Sequence, residues 1–295
     1  MLTQEELEHE LSTGYNCFQN HEYFRAIKSF SRVIKQLKLS PELARGSREE
    51  ECLLQSFQQR ALCWIQQEEY DIALLDINDG LRECPCEPSL YFVRGHINMK
   101  SGEHYDKAVH DFSKVLELEQ KAEKRSAALF ERCRALVEIK RYEQALSDND
   151  AVFKGNENNT DVVQLRLRIL AGLGRFSEAS ELGEKYMRQT SDLSEEFFLI
   201  MNEIYTELKD WDNAALTRSK INSPTKDIIR FDLIKVHNLI DQKKYTEALN
   251  YTESFLINEE NSEALFTRGE VYFLLERFEN AQSDWKRALE LNPSD

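Results

Sequence analysis

The sequence predicts an all-α solenoid of about eight antiparallel helix hairpins, forming a single array over residues 1–295. Three observations lead there. First, an aromatic residue, two variable residues and an alanine recur eight times, with alanine-to-alanine spacings of 47, 35, 37, 34, 35, 34 and 33 residues. Self-similarity at a period near 34 marks a helical repeat, in which each hairpin leaves an apolar face for its neighbour to cover. Second, glycine and proline make up only 15 of 295 residues, well under the usual share of about 12%, so helices run without internal breakers. Third, Phe30, Val33 and Ile34 follow Ala26 at i+4, i+7 and i+8, and Trp285, Ala288 and Leu289 follow Ala281 in the same register. That spacing is one face of a 3.6-residue period.

Each hairpin is expected to place a pivotal residue on its first helix about twelve positions before the alanine of its second. Hairpin one, near residues 7–40, carries Gly14 and then Tyr23/Ala26. An insertion at 41–53 accounts for the long first spacing, and its Glu49-Glu50-Glu51 end extends the next helix. Hairpin two (54–87) has Ala61 and Tyr70/Ala73, and hairpin three (88–122) has Gly95 and Tyr105/Ala108 with one extra residue near His104. Hairpin four (126–159) has Cys133 and Tyr142/Ala145, ending in a polar loop at 154–159. In hairpins five (160–193), six (195–228) and seven (229–261) the pivots are Leu167, Asn202 and Val236, so these three read as degenerate; their pairs are Phe176/Ala179, Trp211/Ala214 and Tyr245/Ala248. Hairpin eight (262–295) has Gly269 and Phe278/Ala281. A small pivot and the alanine let the two helices approach, while the aromatic opens the second helix and packs on the first. Pro41, Pro85, Pro88, Pro224 and Pro293 all fall between hairpins.

Charge and composition narrow the function. With 38 Lys+Arg against 53 Asp+Glu, the net charge is −15. The basic runs are no longer than Lys124-Arg125, Lys140-Arg141 and Lys243-Lys244, far short of the basic stripe of a nucleic-acid binder. The longest apolar run is Phe197–Met201, and a membrane-spanning helix needs about 20 such residues. The N-terminal stretch has neither the basic nor the apolar region of a secretory signal. The six cysteines (Cys17, Cys52, Cys63, Cys84, Cys86, Cys133) are therefore expected reduced in the cytoplasm or nucleus, and the sequons at Asn158 and Asn250 carry no meaning there.

The spacing resembles the tetratricopeptide repeat family. Hairpin one matches through Gly14-Tyr-Asn-Cys-Phe18, Tyr23, Ala26-Ile27, Phe30 and Val33-Ile34. Hairpin eight matches more closely, through Gly269-Glu-Val-Tyr272-Phe273, Phe278-Glu-Asn-Ala281 and Trp285-Lys-Arg-Ala288-Leu289-Glu-Leu-Asn-Pro293. The resemblance runs from about residue 7 to 295. It implies a right-handed superhelix of helix pairs, whose first helices line a concave groove, and a protein-binding module in place of an enzyme.

No catalytic constellation or cofactor motif is present, and no metal site is expected. His104 and His110 fall on different helix faces, and no His-Glu-x-x-His pair exists. Cys84-Pro-Cys86 lacks a second ligand pair. Gly172-Leu-Gly174 reads as the turn of hairpin five, since no Lys-Ser/Thr follows it. Glu195-Glu196 and Glu259-Glu260 fall at helix starts or loops, where acids favour the helix dipole.

What remains is the groove that the resemblance implies. Its side chains would be Leu11, Tyr15 and Phe18; Gln58, Leu62 and Ile65; Phe92, His96 and Met99; Phe130, Arg134 and Val137; and Gln164 and Arg168. Later hairpins offer Leu199 and Glu203, Leu233 and His237, then Phe266, Glu270 and Phe273. Some of these also read as packing residues between neighbouring first helices. The leading reading is a non-enzymatic scaffold or adaptor that holds a peptide segment or helix of a partner protein. Alternatives are a co-chaperone of the heat-shock chaperones, or the repeat region of a larger protein with a further domain after residue 295. Family members that hold acidic chaperone tails use a Lys/Asn/Arg clamp over three hairpins. Here those positions hold Leu11, Tyr15, Gln59, Ser89 and Val93, or one hairpin later Phe92, His96, Glu131, Asp161 and Leu165, so that mode is not expected. The last helix carries an apolar stripe at Trp285, Leu289 and Leu291, expected to be exposed and to drive self-association unless the chain continues.

Overall fold

A computed structural model describes residues 3–39, 48–190, 193–218, 220–221, 233, 235–237, 239–256 and 261–292. Among these residues there are helices and the turns between them, and no strand. The chain forms two compact bodies, Met1–Gly155 and Asn156–Asp295. The N-terminal body holds α1 (Gln4–Gln19), α2 (Tyr23–Lys38), α3 (Arg48–Gln66), α4 (Tyr70–Glu83), α5 (Pro88–Lys100), α6 (Tyr105–Leu118), α7 (Ala122–Glu138) and α8 (Tyr142–Phe153). The C-terminal body holds α9 (Thr160–Gly172), α10 (Phe176–Gln189), α11 (Glu195–Leu208), α12 (Trp211–Arg218), α13 (Tyr245–Phe255), α14 (Ser262–Leu274) and α15 (Phe278–Leu291). Helical residues at 235–237 and 239–241 precede α13. Within each body, consecutive helices pack in pairs, and first helices also meet across hairpins, as α1 with α3, α3 with α5 and α9 with α11.

The aromatic of each repeat is the first residue of a second helix, in all eight cases. The turn before it explains why. His21, Glu68, Lys140, Lys209, Lys243 and Glu276 have φ of 58–60°, and Gly102 and Gly174 have φ of 73° and 71°. One left-handed residue therefore stops each first helix. The next residue's N–H returns to the helix it leaves, as Glu22 N to Cys17 O and Arg277 N to Tyr272 O, both at 2.8 Å. The chain then re-enters a helix at the aromatic, whose ring lies back on the first helix: Tyr23 meets Phe18 at 5.7 Å and Phe278 meets Phe273 at 5.5 Å between centroids.

The pivots work differently from the close helix approach expected of them. A Cβ on Gly14 would stand 2.6 Å from Phe30, and one on Gly95 2.7 Å from Phe112. One on Gly269 would collide with the Trp285 indole. Each ring comes from the residue four after the repeat alanine, so the glycine makes room for a ring, not for the alanine. Hairpins two, four, five and seven pair Ala61 with Ile77, Cys133 with Asn149, Leu167 with Gly183 and Val236 with Thr252 at the same two positions. The apparent degeneracy of hairpin seven fits an exchange of volume between its two helices, whereas in hairpin five the space at Gly183 is taken by Met201 of α11. In hairpins four and six the pivot instead bonds the alanine carbonyl: Cys133 Sγ to Ala145 O at 3.2 Å and Asn202 Nδ2 to Ala214 O at 2.7 Å.

The core of the N-terminal body runs from Leu7 through Phe30, Leu53, Phe57 and Ile77 to Leu90 and Ile97. Of the expected insertion, residues 41–47 lie outside the described residues, while α3 starts at Arg48 with Glu49, Glu50 and Glu51 in its first turn. Pro88 is not in a linker: it is the first residue of α5, where its missing N–H costs no helical bond. Pro41, Pro224, Pro293, Glu259-Glu260, the start of hairpin seven at 229–232 and the Trp211 side chain lie outside the described residues.

Candidate functional site

In the N-terminal body the groove residues drawn from the sequence are mostly half-buried. Leu11 is a core residue, only 6% exposed. Tyr15 stands edge-on to Phe30 at 5.7 Å, and Tyr15, Phe18 and Ile65 pack against the core. Leu62 and Phe130 are half-buried. Phe92, His96 and Met99 are brought together around α6: His96 is 4.7 Å from Phe92, and both rings lie 5.7 Å from Phe112. Burial holds the His96 imidazole below its ordinary 6.5, opposed by the Glu131 carboxylate and aided by Arg134 and Lys100. Arg134 is exposed and pairs with Glu131 at 3.0 Å on its own helix. Arg168, in the C-terminal body, is exposed.

In the C-terminal body four groove positions converge. Leu233, His237, Phe266 and Glu270, with Ser262, Glu263 and Thr267, share an open cavity of about 520 Å³ with Trp285, Ala288, Leu289 and Asn292. Its walls are fixed from three directions. Asn261 caps α14 by accepting from Ala264 N at 3.0 Å, which sets the helix start and puts Glu263 in its first turn. Arg268 grips Asp284 with both arms, at 2.7 and 2.8 Å, locking α14 to α15. That bond raises the Arg268 pKa further. Trp285 lies in the space left by Gly269, donates its indole N–H to Phe266 O at 3.2 Å, and stacks at a tilt against Phe266 and Phe273.

The cavity is lined mainly by apolar side chains together with two acids. Phe266 and Leu289, 52% and 56% exposed, bring two large apolar side chains together at one cavity. Glu263 and Glu270 are its carboxylates, and among the described residues its lining includes neither Lys nor Arg. His237 Nε2 is 3.9 Å from Glu270 Oε2. The sequence had placed Trp285, Leu289 and Leu291 in an exposed patch facing a further repeat. Leu289 and Leu291 are exposed, whereas Trp285 is half-buried and shared with the groove side.

A second cavity, of about 380 Å³, lies among Leu74, Asn78, Arg94, Asn98, Asp106, Lys107, His110 and Asp111. Its floor is an ion pair that sequence reading missed. Arg60–Asp76, Arg94–Asp111, Arg132–Asp148 and Arg268–Asp284 all join a first helix to its own second helix. The signal was an arginine immediately before the pivot and an aspartate three after the alanine.

Among the described residues no group of three or more His, Cys, Asp or Glu side chains could hold a metal ion. No described helix is long and apolar enough to cross a membrane. Cys84 gives its thiol hydrogen to Glu50 at 3.6 Å, and burial beside that carboxylate pushes it up to about 11; Cys86 is exposed.

The tetratricopeptide repeat family profile matches residues 262–295, the hairpin that walls the larger cavity. A protein of Arabidopsis thaliana named DnaJ protein P58IPK homolog is 27% identical over 187 residues, 57% of this chain and 38% of its own. DnaJ protein P58IPK homolog B of Oryza sativa subsp. japonica is 29% identical over 209 residues, 63% of this chain and 44% of its own. The matches thus span less than half the length of these relatives. Among solved structures, a tetratricopeptide repeat protein from Parabacteroides merdae superposes with a TM-score of 0.63 at 13% identity, covering 94% of this chain and 98% of that one. MamA from Desulfovibrio magneticus RS-1 gives 0.51 at 18% identity over 60% of this chain and 95% of its own. The fold is that of tetratricopeptide-repeat proteins.

Proposed function

We propose that this tetratricopeptide-repeat protein is a non-enzymatic scaffold or adaptor that holds a segment or helix of a partner protein. The observation that carries the reading is the convergence of Leu233, His237, Phe266 and Glu270, four groove positions, on one open apolar cavity. An exposed apolar cavity rimmed by polar groups suits recognition of an apolar side chain. Tyr15, Phe18, Leu62, Ile65, Phe92, His96, Met99, Phe130, Arg134 and Arg168 are proposed as further contacts along the first helices. A cytoplasmic or nuclear site of action suits Cys63 and Cys133, buried thiols that burial pushes up to about 12. The resemblance to plant DnaJ protein P58IPK homologs favours, as a second reading, a co-chaperone role. That role would not use an acidic C-terminal tail, since the clamp positions hold no set of cations.

Co-purification with the full chain, followed by mass spectrometry, tests the scaffold reading. A partner retained by the wild type and lost with Phe266→Ser, at unchanged helical circular dichroism, supports it. A partner set identical for both proteins counts against the cavity. Calorimetry with an acidic tail peptide is expected to show no heat; micromolar binding that depends on its terminal carboxylate would overturn the exclusion.

A further inference from the structure

We infer that the cavity walled by Phe266, Glu270, Trp285 and Leu289 selects a basic amphipathic segment, with a bulky apolar side chain seated inside and Lys or Arg flanking it. This rests on the scaffold reading and names the partner's chemistry.

The floor decides the apolar half. The one polar atom of Trp285 is already spent on the Phe266 carbonyl at 3.2 Å, so the indole offers the cavity only its ring. Phe266 and Leu289 are more than half exposed beside it. A volume of about 520 Å³ falls in the range of ligand pockets, about 300–1,000 Å³.

The two acids decide the basic half. Glu263 and Glu270 line the cavity, and among the described residues no Lys or Arg lines it with them. Among the described residues Glu270 pairs only with His237, at 3.9 Å, and Glu263 makes no ion pair. An acidic segment would bring like charges together here. A second copy of the chain would do the same over its whole surface, each copy carrying −15. A cationic partner is steered in by the same field and gains an ion pair at each carboxylate.

The test uses two synthetic helical peptides with the same Leu and Phe positions, one flanked by Lys and the other by Glu. Trp285 emission reports occupancy, identified as the signal absent from Trp285→Phe. The Lys peptide should bind about fivefold or more tightly than the Glu peptide at low salt, two exposed ion pairs supplying that ratio, and the gap should close as salt rises. The double variant Glu263→Gln/Glu270→Gln should lose the preference and keep the apolar binding. Phe266→Ala/Leu289→Ala should lose both peptides. Equal binding of the two peptides, preference for the Glu peptide, or binding that survives Phe266→Ala/Leu289→Ala would overturn the inference. So would a dimer in sedimentation that Leu289→Ala dissolves, since the face would then belong to a second copy. If the Lys preference fails while a co-purified partner still depends on Phe266, the scaffold reading stands and only the charge selection falls.

Discussion

Arg132 holds Asp148 in a two-pronged grip, Nε to Oδ2 and Nη2 to Oδ1, both at 2.7 Å, and its remaining arm reaches Ser113 Oγ on α6 at 3.0 Å. One guanidinium thereby ties three helices: its own α7, the partner α8, and the second helix of the preceding hairpin. Arg60 repeats this with Asp76 and Ser31, and Arg94 with Asp111 and Asn78. Because Asp148 is almost fully buried, removing it strands a cation. Asp148→Ala is expected to cost about 3 kcal/mol, the range for breaking a buried pair, whereas Arg132→Met/Asp148→Leu should fall much nearer to wild type. Denaturant midpoints of the three proteins measure this. Equal losses for the single and double variants would show that the grip contributes packing and not charge pairing.

The glycine pivots give a second expectation. Phe112 is fully buried, so its ring cannot swing away from a methyl placed 2.7 Å from it. Gly95→Ala should cost about 1–3 kcal/mol, the usual penalty of overpacking, although alanine is the better helix former. Hairpin two carries the alternative solution, Ala61 with Ile77. Gly95→Ala/Phe112→Ile should therefore recover part of the loss. A double variant whose cost equals the sum of its two singles would deny the size exchange.

Much of this fold was legible because the repeat places chemically demanding residues at fixed spacings. Each aromatic marks a helix start to the residue, since a left-handed turn and a ring docked on the first helix leave no slack. The turns themselves were less legible: His21, Glu68, Lys140 and Glu276 adopt a conformation that glycine holds at Gly174, and side-chain type does not reveal it. The arginine–aspartate grips were in plain view as a spacing, yet charged residues on an amphipathic helix are ordinarily read as solvent-facing. The cavity was half legible. Phe266 and Glu270 follow from their place on a first helix, while Leu289 joins them only through the crossing of α14 and α15, which no local spacing encodes.

Asn98 predicts a gain in stability. Its Nδ2 donates to Asp111 at 3.0 Å, but its buried Oδ1 has no partner. At the same place, three residues after the pivot, hairpins two, four and eight carry Trp64, Leu136 and Tyr272. Leu136 coexists there with an intact Arg132–Asp148 pair, so the amide is not needed to hold the aspartate. An unsatisfied buried acceptor costs about 1–3 kcal/mol, and leucine has the same branched shape, its extra volume taken up by the adjoining cavity. Asn98→Leu is expected to raise the denaturation midpoint, worth about 1 kcal/mol after the lost hydrogen bond to Asp111. A lowered midpoint would mean that the oxygen is satisfied in solution, by a water in the adjoining cavity.

His96 makes the stability of the N-terminal body depend on pH. The imidazole is packed against Phe92 and Phe112, and burial depresses its pKa below 6.5, with Arg134 and Lys100 adding to the effect and Glu131 opposing it. The folded state therefore takes up a proton less readily than the unfolded chain. Above 6.5 both states are neutral at this site and nothing is lost. As pH falls through 6.5 the unfolded chain is protonated first, so stability declines, and it goes on declining until the depressed folded value is passed. Melting midpoints recorded from about pH 7.5 to about pH 5.5 should fall more steeply for wild type than for His96→Leu, which has no proton to bind. The imidazole carbon-bound proton, followed by NMR, should titrate below 6.5 and sharpen the comparison. A midpoint at or above 6.5 would show that Glu131 outweighs burial, and the pH dependence would then reverse sign.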